Sequence, residues 1–298
     1  MRGKLILLGS LLIAGCATTP GPATSDSPEN PVPVAHNNMN SVLWVQTAAE
    51  YEGNTLTVYS AASQQLASLQ SQSGVTADLD QAAAYGCVAG VHCDALAAAG
   101  LIPAVVLDVD ETVLDNSPYQ AALVVGDTSF DPVGWDAWIA ERSAAAVPGA
   151  VSFIEAAQAA GVAVIYMTNR ACGQREGSQE DCPQRSDTLE NLKLAGFPSP
   201  GENDLLILRG ERPGWDTSEK QSRRAFVAER YRMIMLIGDD IGDLASGIKA
   251  DSPGERAAFV KAHESLYGVH WFQLANPTYG SWIRSLGRGA PGDHLRPN

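Results

Sequence analysis

Three acidic side chains, Asp108, Asp110 and Glu111, fall within four positions at the end of the apolar, strand-like run 103–110. Carboxylates held that close repel and push one another's pKa upward unless a cation sits among them. Two more polar groups end similar runs: Thr168, Asn169 and Arg170 close 162–169, and Asp239 and Asp240 close 233–240, with Asp243 one turn on. Any one of these carboxylates reads most simply as the cap of a following helix. Polar groups converging from three strand ends, two of them acidic, point instead to a bound cation. Hard oxygen ligands with room for water suit Mg²⁺, which is held by one or two carboxylates together with a substrate phosphate.

The elements that must position these groups are legible in the apolar pattern. Runs at 103–110, 162–169, 204–210, 233–240 and 270–277 are almost continuously apolar and rich in β-branched residues, and helical patterns at 149–161 and 219–231 lie between them. Strands of that kind alternating with helices predict an α/β fold with a Rossmann-like parallel sheet covered by helices on both faces. Ligands in such sheets bind beyond the carboxyl ends of the strands, where all three polar groups fall. The spacing of Leu43, Ala48, Tyr51, Leu56 and Tyr59 predicts an N-terminal helical section over about 40–69.

Composition limits the partners. With 34 acidic against 20 basic residues, the net charge of −14 argues against a nucleic acid polymer as partner and against an anionic membrane surface. An anionic substrate would need a cation or a few well-placed Lys and Arg. Residues 1–15 read as a leader: Arg2 and Lys4 precede an apolar stretch too short to span a bilayer, and small residues lead to Cys16. This resembles a bacterial lipoprotein signal peptide, with Cys16 as the lipidated residue and membrane anchor. Residues 16–39, rich in Pro, Ser and Thr, read as a flexible tether. In an oxidising compartment the remaining Cys87, Cys93, Cys172 and Cys182 favour two disulfides, and the short spacings favour 87–93 and 172–182. Other pairings, and a zinc site, stay open on spacing alone.

"DVDET" at 108–112, "MTNR" at 167–170, the lysine in "SEKQSRR" at 218–224 and "GDDIGD" at 238–243 resemble, in order, the four motifs of the haloacid dehalogenase superfamily of phosphatases. The segments 41–51, 114–120, 135–154 and 276–282 are similar to class C acid phosphatases of the lipoprotein e, 5′-nucleotidase type. The resemblance implies one phosphatase domain over 40–290, a small substrate lobe at 116–148 over the active site, and a tail at 291–298. It implies an Mg²⁺-dependent acid phosphatase acting on small phosphomonoesters such as nucleoside monophosphates. Lipid anchoring then places it at the bacterial cell envelope, at the outer membrane in a Gram-negative cell; a homodimer is compatible with it.

Residue by residue, the resemblance implies Asp108 as nucleophile through an aspartyl phosphate, Asp110 as general acid and base, Thr168 as donor to a phosphoryl oxygen and Lys220 as neutralising cation. It implies metal ligation by Asp108, the Asp110 carbonyl and Asp239, with Asp243 supporting through water, and a substrate pocket formed by Asn169, Trp135, Tyr279 and Trp282. Without it, Lys220 reads as part of a solvated helix face and the aromatic residues as core. Asp240 stands where the family often has Asn, leaving open which of Asp239 and Asp240 ligates, and the insertion at 170–186 has no assigned role. A phosphotransferase using the same intermediate, and a catalytically silent envelope-binding lipoprotein, remain as alternatives.

Overall fold

The structure, a computed structural model, describes residues 36–289 and 291–297. The leader at 1–15, the anchor Cys16 and most of the tether lie outside the described residues. In chain order the N-terminal section comprises α1 (Met39–Thr47), α2 (Ala49–Ser71), α3 (Leu79–Ala84) and α4 (Asp94–Ala98). Then follow β1 (Ile102–Leu107), β2 (Leu114–Asp115), α5 (Ser117–Val125), α6 (Pro132–Glu141), β3 (Ala145–Ala146), α7 (Ala150–Ala159), β4 (Ala163–Ala171) and α8 (Pro183–Leu194). The last third holds β5 (Leu205–Arg209), α9 (Gln221–Ala228), β6 (Tyr231–Gly238), α10 (Ile241–Leu244), α11 (Pro253–Ala262), β7 (Trp271–Gln273) and α12 (Ser281–Ser285).

Five strands form one parallel sheet in the order β5-β4-β1-β6-β7. Their near-continuous apolarity follows from burial on both sides. Val105, Leu107, Val164, Tyr166, Leu206 and Leu208 pack with Tyr59 and Leu66 of α2 and Phe153 and Ile154 of α7. The alternate residues Ala104, Val106, Ile165, Met167 and Ile207 pack with Val227 of α9 and with Trp271. From β1 the chain builds β4 and β5 on one side and then β6 and β7 on the other. The carboxyl end of β1 is therefore the switch point, where a crevice opens for a ligand.

The sheet strands match the sequence expectation in number and direction but not in their ends: β4 runs on to Ala171, past the expected 169, while β1 and β6 end early. β1 stops at Leu107 and β6 at Gly238, so both acidic groups lie on the loops beyond the ladder, where carboxylates are freed from pairing geometry. The single helical run expected over 40–69 is two helices, because Ala48 is extended (φ −84°, ψ 122°). Between β1 and α7 the short antiparallel pair β2–β3 closes the base of an excursion carrying α5 and α6. Both short-range disulfides form, Cys87–Cys93 and Cys172–Cys182. Among the described residues no helix is long and apolar enough to cross a membrane.

Candidate active site

The Asp108 backbone N–H donates to the Ile237 carbonyl (3.0 Å), extending the β1–β6 ladder by one step before the chain turns. The N–H groups of Val113 and Leu114 both donate to the Val109 carbonyl at 2.9 Å, and Glu111 adopts φ 56° to close the reversal. From α2, the Tyr59 hydroxyl donates to the Thr112 carbonyl (2.7 Å), so an N-terminal helix braces the motif turn. Left-handed backbone at a non-glycine residue is costly, and here it is held by surrounding bonds. The buried Glu111 side chain accepts from the Asn116 N–H at 2.8 Å, and burial drives its pKa well above the usual carboxylate range.

Beyond the strand ends, oxygens of Asp108, Asp239 and Asp243 lie within 4.8 Å of one another. Lys220, which precedes α9 and is buried, places Nζ 2.5 Å from Asp108 Oδ1 and 2.7 Å from Asp243 Oδ1. Three carboxylates share one directly paired ammonium, a donor set suited to a bound cation. Burial pushes the Asp108 carboxyl up; Lys220 opposes that and Asp243 and Asp110 add to it, with a net value of about 7. Asp239 is raised well above the usual range, first by burial and then by Asp243 and Asp108, while a bond from Asn276 Nδ2 (2.8 Å) opposes. Removing water from crowded carboxylates favours their neutral forms, and a cation reverses that preference.

Asp240 has another task. Its carboxylate accepts from the N–H of Gly242 (2.8 Å) and from the N–H and hydroxyl of Ser281 (2.6 and 2.8 Å), capping α10 and tying down α12. Burial pushes its pKa up, but these bonds outweigh it and the net shift is downward. Both oxygens being engaged, Asp239 is the one of the two that joins the carboxylate cluster.

Asp110 points into a different set of partners. Arg170 donates from Nε and Nη2 to Oδ1 (3.0 and 2.8 Å), Asn116 Nδ2 donates to Oδ1 (3.0 Å), and the Thr168 hydroxyl donates to Oδ2 (3.2 Å). Thr168, expected to face a phosphoryl oxygen, here serves Asp110. Neither Arg170 nor Asn116 had an assigned role from sequence; the signals for both were their places inside "MTNR" and "LDNSPYQ". Asn169 also lies at this end, its Oδ1 accepting from the buried Arg223 at 2.6 Å.

A cavity of about 630 Å³ opens on these groups and is lined by Asp108, Asp110, Asn169, Arg170, Asp239 and Asp243, with Phe130, Trp135 and Tyr279 as aromatic wall. Arg209, Lys249 and Arg284 also line it, supplying the local positive charge that an anionic substrate needs in so acidic a chain. His36 and Asn38, assigned to the tether from sequence, also line it and bond to the Thr128 carbonyl (3.2 Å) and to Gln120 (3.4 Å). Trp282, expected in the substrate pocket, is not among the residues lining this cavity; the residue is 40% exposed, and its indole N–H donates to the Tyr279 carbonyl (3.1 Å). In the five-residue α12 only Ser281 is buried, so the turn faces Trp282 outward.

A family model described as HAD superfamily, subfamily IIIB (acid phosphatase) matches residues 31–282. The chain belongs to this subfamily of acid phosphatases. The class C acid phosphatase from Bacillus anthracis shares the fold with a TM-score of 0.65 at 26% identity, over 89% of this chain and 98% of that one. The same enzyme with tungstate bound gives 0.64 at 26% identity, over 90% of this chain and 100% of that one. Acid phosphatase 1 of Solanum lycopersicum is 32% identical over 142 residues, covering 47% of this chain and 51% of that protein. A stem 28 kDa glycoprotein of Glycine max is 24% identical over 151 residues, covering 49% and 54%. The chain thus spans about half the length of the curated relatives it matches. As a subfamily IIIB member it places its acidic loops at the switch point of the sheet, around one crevice.

Proposed function

We propose that the protein is an Mg²⁺-dependent phosphomonoesterase that hydrolyses nucleoside 5′-monophosphates and similar small phosphates through an aspartyl phosphate. The observation that carries this reading is the carboxylate cluster beyond β1 and β6, where oxygens of Asp108, Asp239 and Asp243 converge and Lys220 is ion-paired to two of them. Those carboxylates, with the Asp110 carbonyl, would hold the metal, which when bound neutralises the phosphoryl group and aligns it. That a neighbour was solved with tungstate, a tetrahedral oxyanion, accords with a phosphate-sized anion as ligand.

In this reading an Asp108 oxygen attacks phosphorus, the ester P–O bond breaks, and Asp110 gives its proton to the leaving oxygen. Asp110 then takes a proton from the water that attacks the acyl phosphate, releasing phosphate and restoring Asp108. Arg170 and Asn116 hold Asp110 in place for both transfers. Lys220 offsets charge on Asp108 and the phosphoryl oxygens. Thr168 remains the phosphoryl donor of the loaded site, which requires its hydroxyl to turn from Asp110. Trp135 and Tyr279 would take the nucleobase between them, and base–aromatic stacking is worth about 1–3 kcal/mol per base. The leader sequence and Cys16 support lipid anchoring at the cell envelope, and the two disulfides accord with an oxidising compartment.

Phosphate release measured over nucleotides, sugar phosphates and aliphatic phosphates, with Mg²⁺ or excess chelator, tests the proposal. Mg²⁺-dependent release fastest on nucleotides is expected. Full rates in excess chelator would remove the metal from the account.

A further inference from the structure

The insertion at 170–186, unassigned from sequence, reaches across to the lobe wall. Cys172 and Cys182 close a loop with a sequence separation of 10, and Arg175 lies within it. Its guanidinium donates from Nε to Asp136 Oδ2 (2.6 Å) and from Nη2 to Asp136 Oδ1 (2.8 Å), both in α6, and from Nη1 to Asp187 Oδ2 (2.6 Å) in α8. Asp187 is buried, and its other oxygen accepts from Arg142, the C-cap of α6 (2.7 Å). Gln184 completes the set, donating to Asp136 Oδ1 (2.8 Å) and accepting from the Gly173 N–H (3.1 Å). An isolated exposed ion pair would count for little. This one is a forked, shared network in which Arg175 is 22% exposed and Asp187 3%.

The network matters because little of α6 is buried, Ile139 alone among its ten residues. Trp138 packs against the edge of the core and donates from Nε1 to Asn116 Oδ1 (2.8 Å). Trp135 meets Tyr119 edge-on (5.1 Å between ring centroids) and has the Arg170 guanidinium 5.9 Å from its ring, so these contacts orient the ring and the clasp places the helix that carries it. Trp135, beside Asp136 in sequence, is the α6 residue that lines the cavity. We propose that Arg175 is a positioning residue for substrate selectivity: held by the Cys172–Cys182 loop, it clasps α6 to α8 and so sets Trp135 for the leaving group. This rests on the proposed stacking role of Trp135. The clasp touches no phosphoryl-binding group, so its loss affects bulky aromatic leaving groups and spares small ones.

Michaelis kinetics on a nucleoside 5′-monophosphate and on glycerol phosphate test this, with Arg175→Ala, Arg175→Lys, Cys172→Ala/Cys182→Ala and Trp135→Ala run side by side. Arg175→Ala is expected to raise KM for the nucleotide about 3- to 10-fold, with kcat and both glycerol phosphate constants within about twofold of the parent. Arg175→Lys, which keeps the charge but not the fork, should fall between, and keeps the test usable if the alanine variant folds poorly. The double cysteine variant should shift KM in the same direction, and adding Arg175→Ala to it should add less than the product of the two effects. Nucleotide-selective loss in Trp135→Ala but none in Arg175→Ala, or equal loss on both substrates in Arg175→Ala, would overturn the clasp alone. No selective loss in Trp135→Ala would overturn the stacking role, and the clasp with it.

Discussion

The floor and the wall of the crevice are held by different physics. The floor is the carboxyl end of the sheet, whose strands are buried on both faces: Asp108 and Asp239 follow β1 and β6 directly, and Lys220, beyond β5 at the start of α9, is ion-paired to Asp108 and Asp243. The wall, α5 and α6, hangs from a two-residue ribbon pair and is fixed by ion pairs and hydrogen bonds to distant segments. A close-packed core holds geometry to a fraction of an ångström, as phosphoryl chemistry requires. A polar-tied helix tolerates replacement of its contacts, which suits the part of the site that meets varied leaving groups. In this account chemistry lives in the floor and selectivity in the wall.

Substitutions separate the two regions most sharply in the floor. Asp108→Asn removes the attacking oxygen and a metal ligand together, and kcat should fall by about 10⁴-fold or more in a phosphate-release assay. An active Asp108→Asn would break the distinction outright. Asp239→Asn leaves the nucleophile but weakens the cation site, so the Mg²⁺ concentration for half-maximal rate should rise about 10- to 100-fold. Titration of activity with Mg²⁺ reads that shift, and an unchanged midpoint would take Asp239 out of the metal set.

A third effect is visible in stability. Asp108, raised to about 7, and Asp239 and Glu111, both raised well above the usual carboxylate range by burial, bind protons in the folded metal-free protein that the unfolded chain has already released. Their contribution is therefore complete below about pH 4 and is lost as pH rises through about 7. His270, whose pKa burial depresses, acts in the opposite sense, so the comparison needs a variant. In chelator, the thermal midpoint should drop between pH 5 and pH 7.5 by about 5 °C more in the parent than in Asp239→Asn, and Mg²⁺ should abolish the difference. Parallel pH profiles would mean that the cluster carries no excess charge.

The aromatic residues of the cavity give the smallest effects, Trp135 on the α6 wall and Tyr279 facing the same cavity from the loop between β7 and α12. Trp135→Ala and Tyr279→Ala should each raise nucleotide KM by roughly 5- to 100-fold, following about 1–3 kcal/mol of stacking, with little change for a small aliphatic phosphate. Equal changes on both substrates would make the two rings structural.

The same division explains what the sequence revealed. Strand periodicity and short motifs report local structure, and the floor is local: each acidic group directly follows its strand, so the sheet and the cluster of Asp108, Asp239 and Asp243 could be foreseen. The convergence of Arg170 with Asp110 could be foreseen, but not their pairing: Arg170 lies 60 positions away, and strand periodicity does not record which side chains meet once β4 pairs beside β1. Arg175 and Asp136, 39 positions apart, carry no periodic signal either. Trp282 differs in the opposite way: its motif context suggested the pocket, whereas in the five-residue α12 Ser281 is the buried residue and Trp282 is exposed. The caps at Asp240 and Lys220 shortened strands and helices by amounts that periodicity does not record.

The most direct test of the account is to trap the covalent intermediate. Asp110→Asn keeps the nucleophile but removes the base that hydrolyses the aspartyl phosphate, while an aryl phosphate with an acidic leaving group barely needs the first proton. Acid-quenched Asp110→Asn, mixed with such a substrate and Mg²⁺, should show a burst of phenol close to one per active site. Peptide mass spectrometry should then find one added phosphoryl group on Asp108. A linear time course with no burst and an unmodified Asp108 peptide, or a phosphoryl group on another residue, would contradict the mechanism.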